Sequence, residues 1–169
     1  NCLIPELIKH IDFQKGPYYA EAGDFSSAGK TSISLVKSLD RGIIKVEGGF
    51  HGFARGLVAN SHSFQGDKTI LYGVEYQYSD GPWDNPEKGN KISGVLKYSG
   101  TTDGYWDFSF TGLGYHNKWN STDQIPVRAV AEGRISRFGA IDATDGGETA
   151  RYSLLGNWHK NRENSQTQI

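Results

Sequence analysis

Residues 23–31, Gly23-Asp-Phe-Ser-Ser-Ala-Gly29-Lys30-Thr31, set two glycines ahead of a lysine and a threonine in the order of a phosphate-binding loop. Such a loop cradles phosphate with backbone N–H groups and needs four residues between its glycines, with a helix following. Here five residues intervene, and the chain after Thr31 favours a strand, so the spacing argues against a nucleotide site. Gly112-Leu-Gly114 lacks the third glycine of a dinucleotide fingerprint and lies within a strand pattern, where it reads as a bulge or close packing. His10, His51, His62, His116 and His159 show no metal-ligand spacing, and the carboxylates of Asp142, Asp145 and Glu148 sit too close together for an EF-hand loop. They read as a solvated turn. With no nucleophile, base or carboxylate pair standing out, the expectation is a protein that is not an enzyme and carries no cofactor or metal.

The remaining chemistry lies between residues 120 and 149. Gln124, Arg128, Arg134 and Arg137, with Arg151 nearby, could hydrogen-bond an acidic or polyhydroxyl ligand. The same arginines could instead pair with Asp123, Glu132, Asp142 and Glu148 and keep a long loop ordered. Both readings stand at the level of sequence. Asn120-Ser-Thr122 matches a glycosylation sequon, a match that chance supplies readily.

The elements that must position this loop are strands. Ile70, Tyr72, Val74, Tyr76 and Tyr78 fall on one side of an extended chain, with Glu75, Gln77 and Ser79 on the other. Similar alternation predicts six strands: 43–50, 55–64, 70–79, 91–99, one beginning at Trp106, and 151–160. The second is ambiguous in face because Leu57 and Val58 are adjacent, and the fifth loses its period near Gly112–Gly114, where a bulge is expected. Upstream, 31–39 has strand chemistry, while 5–11 fits a helical turn or a short strand equally. Tight polar turns fall at 65–68, 100–104 and around Gly52, against one long loop at about 120–149.

The whole chain of 169 residues carries 18 basic and 19 acidic side chains, so bulk attraction to nucleic acid or anionic surfaces is not indicated. Cys2 stands alone, which leaves no internal disulfide and no cysteine-built zinc site. The opening residues lack both Met and a charged-then-apolar signal, an expectation of a processed or truncated chain. No run reaches the ~20 apolar residues of a spanning helix. Barrel strands need only half as many, so a soluble β protein and a piece of membrane β-barrel both remain.

Pro5-Glu-Leu-Ile-Lys-His-Ile11-Asp12, then Lys15-Gly16-Pro17-Tyr18-Tyr19, Gly23 to Gly29, and Ile33-Ser-Leu-Val-Lys37 together resemble the end of the plug domain of TonB-dependent outer-membrane receptors. Gly81-Pro-Trp-Asp84, the run from Trp119 to Ala129, and Arg137 to Asp142 are similar to blocks of one subgroup of these receptors. The resemblance spans essentially the whole chain but only part of a receptor. It implies an all-β fold: an open antiparallel up-and-down sheet belonging to a roughly 22-stranded transmembrane β-barrel, preceded by the end of a plug. Residues 1–40 would be the plug's C-terminal part and 41–169 the first six or so barrel strands. The long loop would face outward and the turns at 65–68 and 100–104 the periplasm, with residues 163–169 in or just after another periplasmic turn. The aromatics of 70–79 would meet lipid; Glu75, Gln77 and Lys97 would face the plug.

Active import follows from the same resemblance. A ligand such as a siderophore, cobalamin, haem or oligosaccharide would bind outer loops, with Gln124, Arg128, Arg134 and Arg137 as candidates, and the TonB complex would pull on a box outside this chain. Localisation would be the bacterial outer membrane. A second reading is a soluble carbohydrate-binding β-sandwich, whose apolar faces oppose each other and whose Trp83, Trp106 or Trp119 stack on sugars. The two differ in what covers the apolar faces.

Overall fold

A computed structural model describes residues 2–18, 22–24, 26–102, 106–162 and 165–168. A 3-10 turn at Pro5–Leu7 leads into β1 (Ile8–Lys15), which pairs antiparallel with β2 (Gly29–Leu35). Seven strands then follow in strict sequence order within one antiparallel sheet: β3 (Ile43–Gly48), β4 (Ala54–Phe64), β5 (Lys68–Ser79), β6 (Gly89–Thr101), β7 (Trp106–Asn120), β8 (Gly146–Arg162) and β9 (Ser165–Gln168). Helix α1 (Val127–Ala131) sits in the β7–β8 connection. The fold is all-β and antiparallel, and among the described residues β3 and β9 are unpaired edges, so the sheet is open.

Several expectations shift. The undecided stretch 5–11 divides between the 3-10 turn and β1, because Pro5 fixes the first turn and the chain then extends to meet β2. No bulge interrupts β7: its pairing with β6 and β8 runs unbroken through Gly112, Leu113 and Gly114. The lost alternation reflects glycines on one face. β8 starts at Gly146, so the long connection is 121–145, shorter than the expected 120–149. Ser165–Gln168 pairs with β8 as a further strand in a segment expected to lie in or just past a turn; Glu163, Asn164 and Ile169 lie outside the described residues, as do Asp103 and Gly104 of the 100–104 turn.

Turn chemistry separates the two ends of the sheet. At one end β4 and β5 are joined by residues 65–67, where Gly66 and Asp67 take left-handed backbone (φ 76° and 56°), a conformation that a tight hairpin requires. The other end carries connections 49–53, 80–88 and 121–145. Short joins and long ones thus alternate along the chain, and residues 36–42 enter β3 at the short-turn end.

The two faces of the sheet meet different surroundings. On β5, Thr69, Leu71, Gly73 and Glu75 are buried, while Tyr72, Val74 and Tyr76 are 43–54% exposed. The burying partner is the N-terminal segment: Ile4 and Leu7 pack with Leu57, Ala59, Leu71 and Val95, flanked by Leu35, Val36, Leu39, Ile43 and Leu113. Gly73 is needed here, since a Cβ on it would stand 2.9 Å from Leu7 Cδ1 and 3.2 Å from the Ala59 Cβ. Polar ties reinforce the seam: Val36 N–H donates to the Leu7 carbonyl (2.9 Å), Leu39 N–H to Ser61 Oγ (2.8 Å), and Lys97 Nζ to the carbonyls of Leu35 and Val36 (3.2 and 3.4 Å). The ambiguous strand β4 resolves the same way, with Leu57 and Ala59 buried and Val58 turned out.

The outward face is apolar and ringed. Ile44, Val46, Val58, Leu96 and Leu154 are largely exposed on it. Towards the short-turn end, Tyr98, Phe108, Phe110, Trp106 and Trp158 form one aromatic cluster with ring centroids 5.4–6.4 Å apart. Among the described residues no second sheet covers this face, so the opposed apolar faces expected of a sandwich are not found.

Candidate functional site

Two places concentrate chemistry. One is the loop cluster at the long-connection end, where 80–88 and 121–145 are tied together. Asp84 N–H donates to the Phe138 carbonyl (3.0 Å), Ser136 Oγ donates to the Asp84 carboxylate, and Asn85 Nδ2 donates to the Ala143 carbonyl (3.1 Å). The Trp83 ring lies 6.2 Å from that of Phe138, and its indole N–H donates to Glu87 Oε1 (2.7 Å). Asn120 closes the base, its N–H on the Glu87 carbonyl and its side chain on that of Pro86 (2.6 and 2.9 Å). Within the longer loop, Asp142 caps its own turn by accepting from the Thr144 N–H and hydroxyl (2.8 and 2.6 Å), which holds the Asp142 carboxyl below its ordinary range. Asp145 is pushed the other way by the neighbouring Asp123 carboxyl.

On this frame the four sequence-selected residues are all exposed. Arg128 lies on α1, Gln124 just before it, and Arg134 and Arg137 just after. Arg134 pairs with Glu132 (2.7 Å), so one of the anticipated loop-ordering ion pairs forms. Among the described residues no carboxylate pairs with Arg128 or Arg137 and no hydrogen bond engages the side chain of Gln124. The loop is ordered instead by backbone and short polar side chains, which leaves two guanidinium groups presenting five donors each.

The second place was missed at the level of sequence apart from Glu75. Arg55, on the inner face of β4, reaches three carboxylates: its Nη1 and Nη2 grip both oxygens of Glu6 (2.9 and 2.8 Å), Nη1 also meets Glu47 Oε2 (2.6 Å), and Nε meets Glu75 Oε2 (2.7 Å), which Nη2 also contacts. Lys45 Nζ adds a bond to Glu6 Oε1 (2.9 Å), and Lys91 Nζ lies 2.8 Å from Glu75 Oε1. Glu75 is 1% exposed, so its charge is tenable only because it is paired. Glu6 is the N-terminal segment's contribution to this network. Arg55 and Lys45 hold the Glu6 carboxyl at a pKa of about 2 against an ordinary 4.5, overcoming the opposing effect of burial. The available signal was positional: Lys45, Glu47, Arg55, Glu75 and Lys91 all alternate onto the face opposite the apolar one, and antiparallel pairing stacks them.

Among the described residues no group of three or more His, Cys, Asp or Glu side chains is arranged to hold a metal ion, and no helix is long and apolar enough to cross a membrane, which says nothing of crossing by strands. Comparison with protein-family models, curated proteins and solved structures returns no match.

Proposed function

We propose that this chain is a wall segment and inner plug segment of a TonB-dependent outer-membrane receptor, which binds an extracellular ligand and imports it actively. The observation that carries this reading is how the sheet's two faces are covered: its tyrosine-rich and aliphatic side lies open, while the side that carries Arg55, Glu75 and Lys97 around Leu57, Leu71 and Val95 is covered by Ile4, Leu7 and the chain about residues 35–39. A water-soluble sheet buries its greasy face, whereas a barrel wall turns it to lipid. Strand length agrees, since β4 to β7 run 11, 12, 13 and 15 residues, enough for a tilted crossing of about 9–11. The order of short and long connections supports the same orientation, with 121–145 outside and 65–67 in the periplasm.

On this reading the Glu6–Arg55 network is the polar clasp between plug and wall, and Gln124, Arg128, Arg134 and Arg137 are the cargo-facing candidates, suited to an acidic or polyhydroxyl ligand. The test is fractionation of cells producing the full-length protein. Recovery with outer membranes, extractable only by detergent, is expected. A soluble, compact monomer that melts cooperatively without detergent would sink the proposal and return the apolar face to a soluble partner.

A further inference from the structure

Where the N-terminal segment meets the inner face of β6, β7 and β8, a hollow of about 260 Å³ lies between Leu35 and the strands. Its walls divide in character, with Leu35, Leu113 and Leu155 against Lys97, Ser109 and Thr111, and no carboxylate lines it. Lys97 is half-buried, and of the three donors of its ammonium two reach the carbonyls of Leu35 and Val36, at 3.2 and 3.4 Å. Among the described residues no carboxylate pairs with it, while Lys9 and Lys37 add positive charge nearby. Other cations of this face are matched: Arg55 and Lys45 hold Glu6, and Lys91 meets Glu75. A partly desolvated cation with no counter-ion is costly, so Lys97 marks a place where an anion would be stabilised.

The hydroxyls beside Lys97 add donors. Ser109 Oγ accepts from Asn157 Nδ2 (3.5 Å), which leaves its own proton to give. Ser99, opposite Ser109 in register, is 7% exposed, and its Oγ has no hydrogen-bond partner among the described residues. It lines a second hollow of about 260 Å³ that shares Lys97 and Ser109 with the first. The carboxylates at this end of the face are already engaged. Asp107, in the second hollow, accepts from Thr101 (2.7 Å) and faces His159 (3.6 Å), and Asp67 is held by Lys37 (2.9 Å).

We infer that the first hollow binds a small aliphatic monocarboxylate, its head on Lys97, Ser99 and Ser109 and its tail against Leu35, Leu113 and Leu155. Donors without a matching acceptor select an anion, and a single lining cation suits one negative charge. The leucines select an apolar tail, which a hydrated inorganic ion lacks. Size sets the tail's length: the hollow takes roughly eight water-sized groups at ~30 Å³ each, the heavy-atom count of hexanoate. The site belongs to the inner face and stands whatever meets the outward one.

Titration of the purified full-length protein with carboxyl-labelled hexanoate, followed by NMR, tests this. One saturable site is expected on the wild type. Acetate, which lacks the tail, and hexanol, which lacks the charge, should each bind at least about tenfold more weakly. Lys97→Gln should weaken hexanoate about tenfold or more. Lys97 also ties down Leu35 and Val36, so a second variant separates binding from folding. Thr111 sits opposite Lys97 in register, and Thr111→Glu sets a permanent carboxylate beside the ammonium. It should abolish hexanoate binding while the Val36 amide stays protected from exchange. Hexanoate held equally by the wild type and Thr111→Glu, or not held by the wild type, overturns the inference. Phosphate held as tightly as hexanoate overturns the ligand class.

Discussion

At the scale of single residues, Arg55 is where charge and structure are most tightly joined. Replacing Arg55 with Ala leaves Glu75 buried without its main partner and frees Glu6, a loss of about 3–5 kcal/mol in the docking of the N-terminal segment. Limited proteolysis within residues 8–35 should accelerate accordingly. Acid should act on the same contact. The folded pKa of Glu6 lies below its ordinary value, so its contribution is complete above pH 4.5 and is lost as pH falls towards about 2. Protection of the Val36 amide, bonded to Leu7, taken relative to its intrinsic exchange rate at each pH, should therefore fall across that window in the wild type and fall less in Arg55→Ala, where only Lys45 still holds Glu6. In the 121–145 connection, Arg134 is already paired with Glu132, whereas among the described residues no carboxylate pairs with Arg137. If the proposed function holds, Arg137→Ala should weaken ligand binding by about 1.5–3 kcal/mol, the worth of a charged hydrogen bond, and Arg134→Ala by less. Equal effects, measured by titration of the purified full-length protein, would remove Arg137 from the proposed site.

At the scale of elements, alternation made most strands legible and glycine concealed the rest. Where bulky residues mark every second position, as on β5 and β6, the strand and its faces follow directly from the order of residues. β7 reads as broken because Gly112 and Gly114 occupy outward positions, erasing the contrast that periodicity depends on without altering the backbone. The start of β8 was hidden similarly by Gly146 and Gly147, which carry turn chemistry yet pair with Asn120 and Trp119. The charged network was illegible for a different reason: it depends on which strands lie side by side and on Glu6 reaching across from a separate segment, neither of which a local window contains. The exposed arginines of 121–145 could be named from sequence, but their partners could not. Gly73 gives this scale its prediction. Gly73→Val forces Leu7 and Ala59 apart and should cost about 1–3 kcal/mol, seen as a lower denaturant midpoint, while Gly94→Val one strand away should change it little.

At the scale of the whole molecule, the question is which solvent each face of the sheet expects. Val74 lies in the central row of the outward face, between Val58 and Gly94. In a bilayer Val74→Lys should destabilise by about 2–4 kcal/mol in vesicle refolding titrations, whereas Gln77→Lys on the inner face, set between Arg55 and Lys91, should cost no more than about 1 kcal/mol. Similar costs at both positions would contradict the assignment of faces. The strictly sequential strand order has a temporal consequence as well. Each of the strands β4 to β9 can zip onto its predecessor as a hairpin, a series of local closures with little entropy to overcome. The residues ahead of the sheet have no such neighbour to join: Glu6 must wait for Arg55, and Leu7 for Leu71 and Val95. The segment that holds Ile4 and Leu7 is therefore synthesised before the sheet and seated after it. Pulse-labelled exchange during refolding should protect the β5–β6 amides before that of Val36, and the reverse order would place the seed of folding in the segment that packs on the sheet.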